Sequence, residues 1–366
     1  MKYYKLQELC IDIIDCPHST PNWKNEGIRV VRNFNLKDGN IDFTDGYFVD
    51  EATYIERTKR AVPEEGDIII SREAPMGVVG IVPKGLKCCL GQRLVLLKVN
   101  KQKCDPFYLL NTLMSDFVQT QFRRADAAGS IVSNLCIPDL KEIIIPVIEH
   151  GQREVASFFE MINRKRTINN MINDNLEQQI QLIFDYLFPD VCAGNKHMGD
   201  FIIPKRGKSL LSKNAVHGNV PVIAGGLEPS IYHNVANTVA PVVTISSSGA
   251  NAGFVNIWGV PVWSSDSSYI DSEMSRYVYF WYAYLKRHQN NIYNIQTGSA
   301  QPHIYPSHIS GLPITDLDYK KIENYTEIVS PIFSTITKNH VENQHLQSLR
   351  DWLLPMLMNG QATISD

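Results

Sequence analysis

The chain of 366 residues is poor in the features that announce common kinds of chemistry. Its seven cysteines (Cys10, Cys16, Cys88, Cys89, Cys104, Cys136 and Cys192) are odd in number and form no C-x-x-C pair, so reduced thiols in a cytoplasmic protein are expected, with neither a disulfide framework nor a zinc site. No N-terminal stretch joins a charged start to an apolar run, and the longest apolar runs fall far short of a bilayer span, so neither a secretory signal nor a membrane segment is expected. A G-x-x-x-x-G-K-[ST] phosphate loop is missing, as is an Asn/Asp-Pro-Pro-aromatic tetrapeptide. Ser246-Ser247-Ser248-Gly249 lacks the G-x-S-x-G elbow of a serine nucleophile and reads as a polar glycine turn. His303 and His308 are separated by Pro306, which breaks the helix a His-based metal site could use. The carboxylates show no pairing suited to acid–base work. The expectation is a non-catalytic chain with no metal.

Charge of one sign is also scarce. The net charge is −3, and counting Lys/Arg against Asp/Glu gives 0 for residues 1–148, −3 for 149–192, +1 for 193–318 and −1 for 319–366. A polyanion-binding face would therefore have to be local, because no long-range field would steer one.

What is present is a repeat. Gly129-Ser130-Ile131-Val132-Ser133-Asn134-Leu135, then Ile143-Ile144-Ile145-Pro146, then a helical run to Leu187, recurs as Gly298-Ser299-Ala300-Gln301-Pro302-His303-Ile304, Leu312-Pro313-Ile314 and a helical run to Leu357. Up to the strands the offset is constant. At this length two domains are expected, and 44% apolar residues can supply each with a core. In the first, Asp67–Ser71, Val78–Val82 and Leu94–Leu97 read as strands, and Phe107–Arg123 as one helix. In the second, Pro241–Ser246 reads as a strand, and Gly253-Phe254-Val255-Asn256-Ile257 answers Gly77-Val78-Val79-Gly80-Ile81. Tyr277, Tyr279, Phe280, Trp281, Tyr282 and Tyr284, on a helix over about Arg276–Arg287, could stack on bases, but at helical spacing they read as core.

Two long helices complete the pattern. Ile168, Ile172, Leu176, Ile180, Ile183 and Leu187 recur every three or four residues, and Pro189 stops that run. Ile332, Ile336, Leu346, Leu353 and Leu357 share a seam with Asn339 and Asn343, polar residues of the kind that fix register and partner in a coiled coil. Pro331 is expected to mark a helix start or a kink. A helix of about 40 residues is roughly 60 Å long. Paired antiparallel, two such rods would hold two heads one to two turns of B-DNA apart, at roughly 34–36 Å per turn. The fold class expected is α+β: two similar α/β heads at 1–147 and 191–318, and long antiparallel coiled-coil helices at 148–190 and 319–366.

The final stretch Leu349-Arg350-Asp351-Trp352-Leu353-Leu354-Pro355-Met356-Leu357-Met358-Asn359-Gly360, the two Gly-Ser loops with their proline-containing strands, Gln152-Arg153-Glu154-Val155-Ala156, Gly66-Asp67-Ile68-Ile69-Ile70-Ser71-Arg72 and Leu90-Gly91-Gln92-Arg93 together resemble the specificity subunits of type I restriction-modification systems. The resemblance covers essentially the whole chain. It implies two target-recognition domains, each reading half of a split site in double-stranded DNA, with helices that set the spacing and bind two methylation subunits. Two motor-nuclease subunits would complete a restriction enzyme. S-adenosylmethionine, ATP and magnesium would belong to those partners, with none held by this chain. Loops with Arg, Lys, Asn, Gln and Ser are the expected DNA-binding sites. In the first head these are Arg32, Asn33, Arg72, Arg123, Arg124, Ser130, Ser133 and Asn134. In the second they are Ser247, Ser248, Asn251, Lys286, Arg287, Thr297, Gln301 and His303. The alternatives are the specificity subunit of a related restriction system, a structural scaffold with two protein-binding heads, which the near-neutral charge allows, and a self-contained DNA enzyme, against which the missing motifs argue.

Overall fold

A computed structural model of the chain describes all residues except 44, 45, 74, 127–133, 299, 300, 359, 360 and 363–366. The chain divides into two compact units, one formed by Met1–Thr167 with Gln344–Asp366 and the other by Ile168–Asn343.

The first unit is organised by the run Ile68–Ser71, whose four residues are all buried. A strand with no exposed face needs cover on both sides. Alternation along the backbone assigns the two covers. Ile68 and Ile70, with Val95 and Leu97 of the neighbouring strand Leu94–Val99, enter a core shared with Leu109, Leu113 and Phe122. Ile69, Leu94 and Leu96 enter a second core with Val31, Cys88 and Leu90. The sheet is antiparallel, in the order Cys10–Asp15, Leu94–Val99, Ile68–Ser71, Val79–Ile81. A second, three-stranded sheet contains Phe48–Val49, Ile28–Val31 and Cys88–Leu90, with the last two parallel. Lys2–Lys5 pairs with Ile144–Val147 beside them.

The second unit repeats the three sheets just described. Its four strands run in the order Lys205–Arg206, Ser267–Asp271, Val242–Ser246, Val255–Trp258. A three-stranded sheet again has one parallel pair, Val220–Ile223 with Trp263–Ser264. Lys196–His197 pairs with Pro313–Ile314. Alternation divides the cores as before: Val243 and Ile245 pack among Phe280, Trp281, Tyr282 and Tyr284, and Val242 packs with Ile223 and Val262. The aromatic helix is core, as its spacing indicates.

The long helices are Gln152–Leu187 and Tyr319–Met358. In the first unit Val155, Ala156, Phe159 and Ile162 share a core with Leu354 and Leu357, and Leu346 and Leu353 lie at its edge. In the second, Ile180 and Phe184 meet Ile322, Tyr325, Val329, Phe333 and Ile336, with Leu176, Ile183, Leu187 and Ile332 at the margin. Asn339 donates to Asn173 (2.8 Å), and Asn169 donates to Glu342 (2.8 Å) and to Asn343 (2.9 Å). Residue numbers fall on one helix as they rise on the other, so the segments of this unit are antiparallel.

Three sequence expectations change. The single helix over Phe107–Arg123 is two, Pro106–Met114 and Asp116–Asp126. Ser115 between them takes an extended backbone (φ −67°, ψ 150°), and its hydroxyl donates to the Thr112 carbonyl at 2.6 Å. Pro331 lies inside Tyr319–Met358, so of its two expected roles, a helix start or a kink, the start is excluded. The carbonyl four residues earlier that it deprives of a partner belongs to the exposed Glu327, where water can replace the lost bond. Ile168 and Ile172, expected on the seam, are each 42% exposed, whereas Asn169 and Asn173 are buried. The polar contacts just described turn the asparagine face inward.

Phe184 is fully buried against the rings of Phe188, Phe280 and Tyr325, at 5.2, 5.6 and 5.6 Å between centroids. Phe184→Ala is expected to cost about 3–5 kcal/mol, whereas Ile168→Ala should stay within about 0.5 kcal/mol. Urea midpoints of the two variants check this, and equal midpoints would contradict the packing described.

Candidate nucleic-acid interface

Each unit builds the same rim where its fully buried strand ends. In the first, the amide of Gly77 donates to the Ser71 carbonyl (2.8 Å), that of Arg72 to Arg93 (2.9 Å) and that of Leu135 to Arg72 (3.0 Å). In the second, Gly253 donates to Ser246 (2.7 Å), Ser247 to Asp266 (3.1 Å) and Ile304 to Ser247 (3.0 Å). Gly77 and Gly253 have φ of +78° and +85°, and a Cβ there would come within 2.9 Å of Phe122 and 2.7 Å of Ile292, respectively. Only glycine satisfies both the dihedral and the close approach. Gln119 and Gln289 each send a side-chain N–H to the carbonyl of that glycine, at 3.0 and 2.8 Å. The hydrogen-bond frame thus pairs Arg72 with Ser247, Arg93 with Asp266 and Leu135 with Ile304 as equivalent positions.

The side chains on the rim are polar. Arg72 is largely enclosed and spends its guanidinium internally. Nη1 donates to both carboxylate oxygens of Asp15 at 3.0 Å, Nε to the Leu135 carbonyl at 3.0 Å and Nη2 to Asn134 Oδ1 at 3.3 Å. It fastens the chain segment at 134–135 to the sheet, which makes it a positioning residue in this geometry. Asn33 donates to the Glu73 carbonyl (3.0 Å), and Glu73 pairs with Arg93 Nε (3.1 Å). Arg32 is held by three ring faces, those of Tyr47, Phe34 and Trp23, at 4.4, 4.9 and 5.5 Å. This collar stiffens a long side chain beside exposed aromatic surface. Arg123 and Arg124 are exposed near the end of Asp116–Asp126, and Arg123 donates to Thr120 at 2.8 Å. Ser130 and Ser133 lie outside the described residues.

In the second unit, Ser248 donates to Asp266, which also takes Arg206 Nη2 at 2.6 Å. Ser247 is buried, and its hydroxyl has no partner among the described residues. Thr297 and Gln301 are exposed, Asn251 and His303 half-buried. The His303 backbone pairs with Thr297, and its ring stacks on Tyr305, 6.1 Å between centroids. Two basic candidates turn inward. Arg287 donates to the carbonyls of Phe188 (2.8 Å) and Pro189 (2.7 Å), satisfying acceptors just past the end of Gln152–Leu187. The Lys286 ammonium sits 4.7 Å from the Phe254 ring centre. Burial pushes its pKa down, against the opposing pull of Glu177. The sequence reading omitted Asp15, Glu73, Arg93, Arg206 and Asp266. Only Arg93 carried a signal, as the end of Leu90-Gly91-Gln92-Arg93.

These observations define a class: a duplicated α+β module with matching polar rims and paired long-helix segments within each unit. Residues 1–178, just under half of the chain, match the family model of the type I restriction modification DNA specificity domain. A putative type I restriction enzyme MjaX specificity subunit from Methanocaldococcus jannaschii is 27% identical over 172 residues, covering 47% of this chain and 37% of that protein. The match therefore spans little more than a third of that relative's length. The crystal structure of a type I restriction-modification system S subunit from M. genitalium has the same fold, with a TM-score of 0.54 at 18% identity over 100% of this chain and 96% of that one. Among the described residues, no helix is long and apolar enough to cross a membrane.

The enclosed Arg72 hub makes a test of the rim. Arg72→Ala is expected to cost about 2–3 kcal/mol, because Asp15 and the Leu135 carbonyl lose their donor, and to speed hydrogen exchange at the Leu135 amide. Arg124→Ala, on an exposed helix turn, should leave both unchanged. If the two variants exchange alike, the hub is not what holds the rim.

Proposed function

We propose that this chain is the sequence-specific DNA-recognition subunit of a type I restriction-modification enzyme. Each head reads one half of a bipartite target in double-stranded DNA. Two methylation subunits and two motor-nuclease subunits supply the bond chemistry, adenine-N6 methylation and cleavage, with their S-adenosylmethionine, ATP and magnesium. The segments 148–190 and 319–366 serve as spacer and docking helices, and 1–147 and 191–318 as the reading domains. At about 1.5 Å per residue, a helix of 36 residues and one of 40 residues measure roughly 54 and 60 Å, of the order of the spacing between two half-sites.

The observation that carries this reading is the duplicated rim. The same three backbone bonds recur in both units, while the side chains they present differ. One frame with two sets of side chains is what recognition of two different half-sites requires. The absence of a net positive field is consistent with a subunit that shares its phosphate contacts with partner chains. It is also the one observation favouring a scaffold with two protein-binding heads, and salt dependence separates the two.

Co-expression of the chain with a methylation subunit of its own system should place N6-methyladenine at one split, asymmetric motif in the host genome. Methylation mapping with and without the chain checks this, and identical maps would defeat the proposal. The assembled complex should also lose duplex affinity linearly on a log–log salt plot, with a slope of about −0.9 per phosphate neutralised. Salt-insensitive binding would favour the scaffold.

A further inference from the structure

The two rims exchange charge at two equivalent positions. Val95 of the first sheet faces Asp15 on the edge strand, and the equivalent Ser268 of the second faces Arg206. The residue whose carbonyl receives the rim amide is Arg93 in the first unit and Asp266 in the second. Asp15 and Arg93 are thus answered by Arg206 and Asp266. Each rim balances its charges internally, by Arg72–Asp15 and Arg93–Glu73 in one and by Arg206–Asp266 in the other. Neither unit gains net charge from the exchange, so the inversion does not alter attraction to phosphates. It changes which edge of the rim donates and which accepts.

We propose that Arg93 and Asp266 are the paired specificity determinants of the two heads, and that they read opposite hydrogen-bonding groups in the major groove. Arg93 is exposed, and Glu73 engages its Nε. The end-on pair of Nη1 and Nη2, outside that contact, fits the two acceptors O6 and N7 of guanine. Its backbone lies in the left-handed region (φ +64°), which side chains other than glycine and asparagine seldom occupy. The fold maintains this conformation at a position where a glycine would be relaxed, a cost consistent with the side chain being used. Asp266 is part-exposed, and its two oxygens accept from Arg206 and Ser248. Those contacts hold the carboxylate in place while each oxygen keeps a further lone pair for an exocyclic amine, N4 of cytosine or N6 of adenine. The half-site read by the first unit therefore presents acceptors, and that read by the second presents a donor. This inference rests on the DNA-recognition reading above.

The test uses the full chain co-expressed with its methylation partner, with genome-wide N6-methyladenine mapping as the readout. Arg93→Lys keeps the charge but loses the fork, and Asp266→Asn keeps the shape but adds a donor. Each is expected to lower base discrimination at a single position by about tenfold or more, with the two positions in different half-sites. Glu73→Gln removes the charge beside Arg93 Nε while leaving an acceptor there, and should relax the same base less than Arg93→Lys does. Thermal melting of each purified complex separates misfolding from misreading. The proposal is overturned if folded Arg93→Lys and Asp266→Asn variants keep the wild-type motif, if they lose methylation uniformly at all sites, or if Glu73→Gln relaxes the base as much as Arg93→Lys does. A wild-type complex that yields no split motif would instead remove the DNA-recognition reading itself.

Discussion

The double burial of one strand in each unit constrains everything around it. Ile68–Ser71 and Val242–Ser246 have no exposed residue, so each must be covered on both faces. Helices pack on one face and a three-stranded sheet on the other, and the period of two along the backbone sends alternate side chains into separate cores. With both faces occupied, chemistry is left to the strand's end. There the backbone turns on a positive-φ glycine and ties itself to two neighbouring segments. The rim is therefore a consequence of packing, and its backbone is the same in both units because each strand beneath it is covered in the same way, although the side chains of the cores differ.

This division explains which parts of the molecule could be read from sequence. Ile68-Ile69-Ile70 and Val242-Val243-Thr244-Ile245 are short β-branched runs flanked by Gly66 and Pro241, and that length, branching and flanking favour buried strands. The aromatic residues of Val278–Arg287 were legible because large rings at helical spacing have one economical explanation, a core. Ser115 was not, since its side chain returns to a carbonyl three residues back and stops a helix that the apolar spacing alone would continue. Pro331 is the opposite case, a residue that suggests a helix start and lies within a helix. A proline tolerates a helix interior when the carbonyl it orphans belongs to a residue in water, and periodicity does not reveal which one does. The candidate site was legible only as loops rich in polar residues. Arg72 and Arg287 are chemically equal to Arg93 in the sequence, and only the placement of acceptors distinguishes an arginine that braces the fold from one whose side chain stays exposed.

The same competition between packing and pairing orders the long helices. Around Asn169, Asn173, Asn339 and Asn343, the inward face is polar, and the isoleucines that would have formed an apolar seam point outward. Burying amides costs more than burying leucines unless every partner is met, so this layer contributes little to stability per residue. Its value is discrimination. Two amides meet only in one register, whereas an aliphatic seam tolerates a slip of a full turn. Below the polar layer, Phe184, Phe188, Phe280 and Tyr325 supply the apolar burial that the layer forgoes.

Register matters beyond stability if the helices serve as spacers. A slip of one turn changes a helix-set distance by about 5.4 Å, more than one base-pair step of B-DNA. A spacer built from leucine alone would hold its two helices tightly and measure poorly. Asn173 Nδ2 already lacks a partner among the described residues, and a slip would strand the amides of Asn169, Asn339 and Asn343 as well, so the misaligned states are the costlier ones. Charge neutrality on the rims follows the same logic. Ion pairs such as Arg93–Glu73 and Arg206–Asp266 add little net affinity for a polyanion, but they hold donors and acceptors in fixed places, and fixed placement is what sequence discrimination requires.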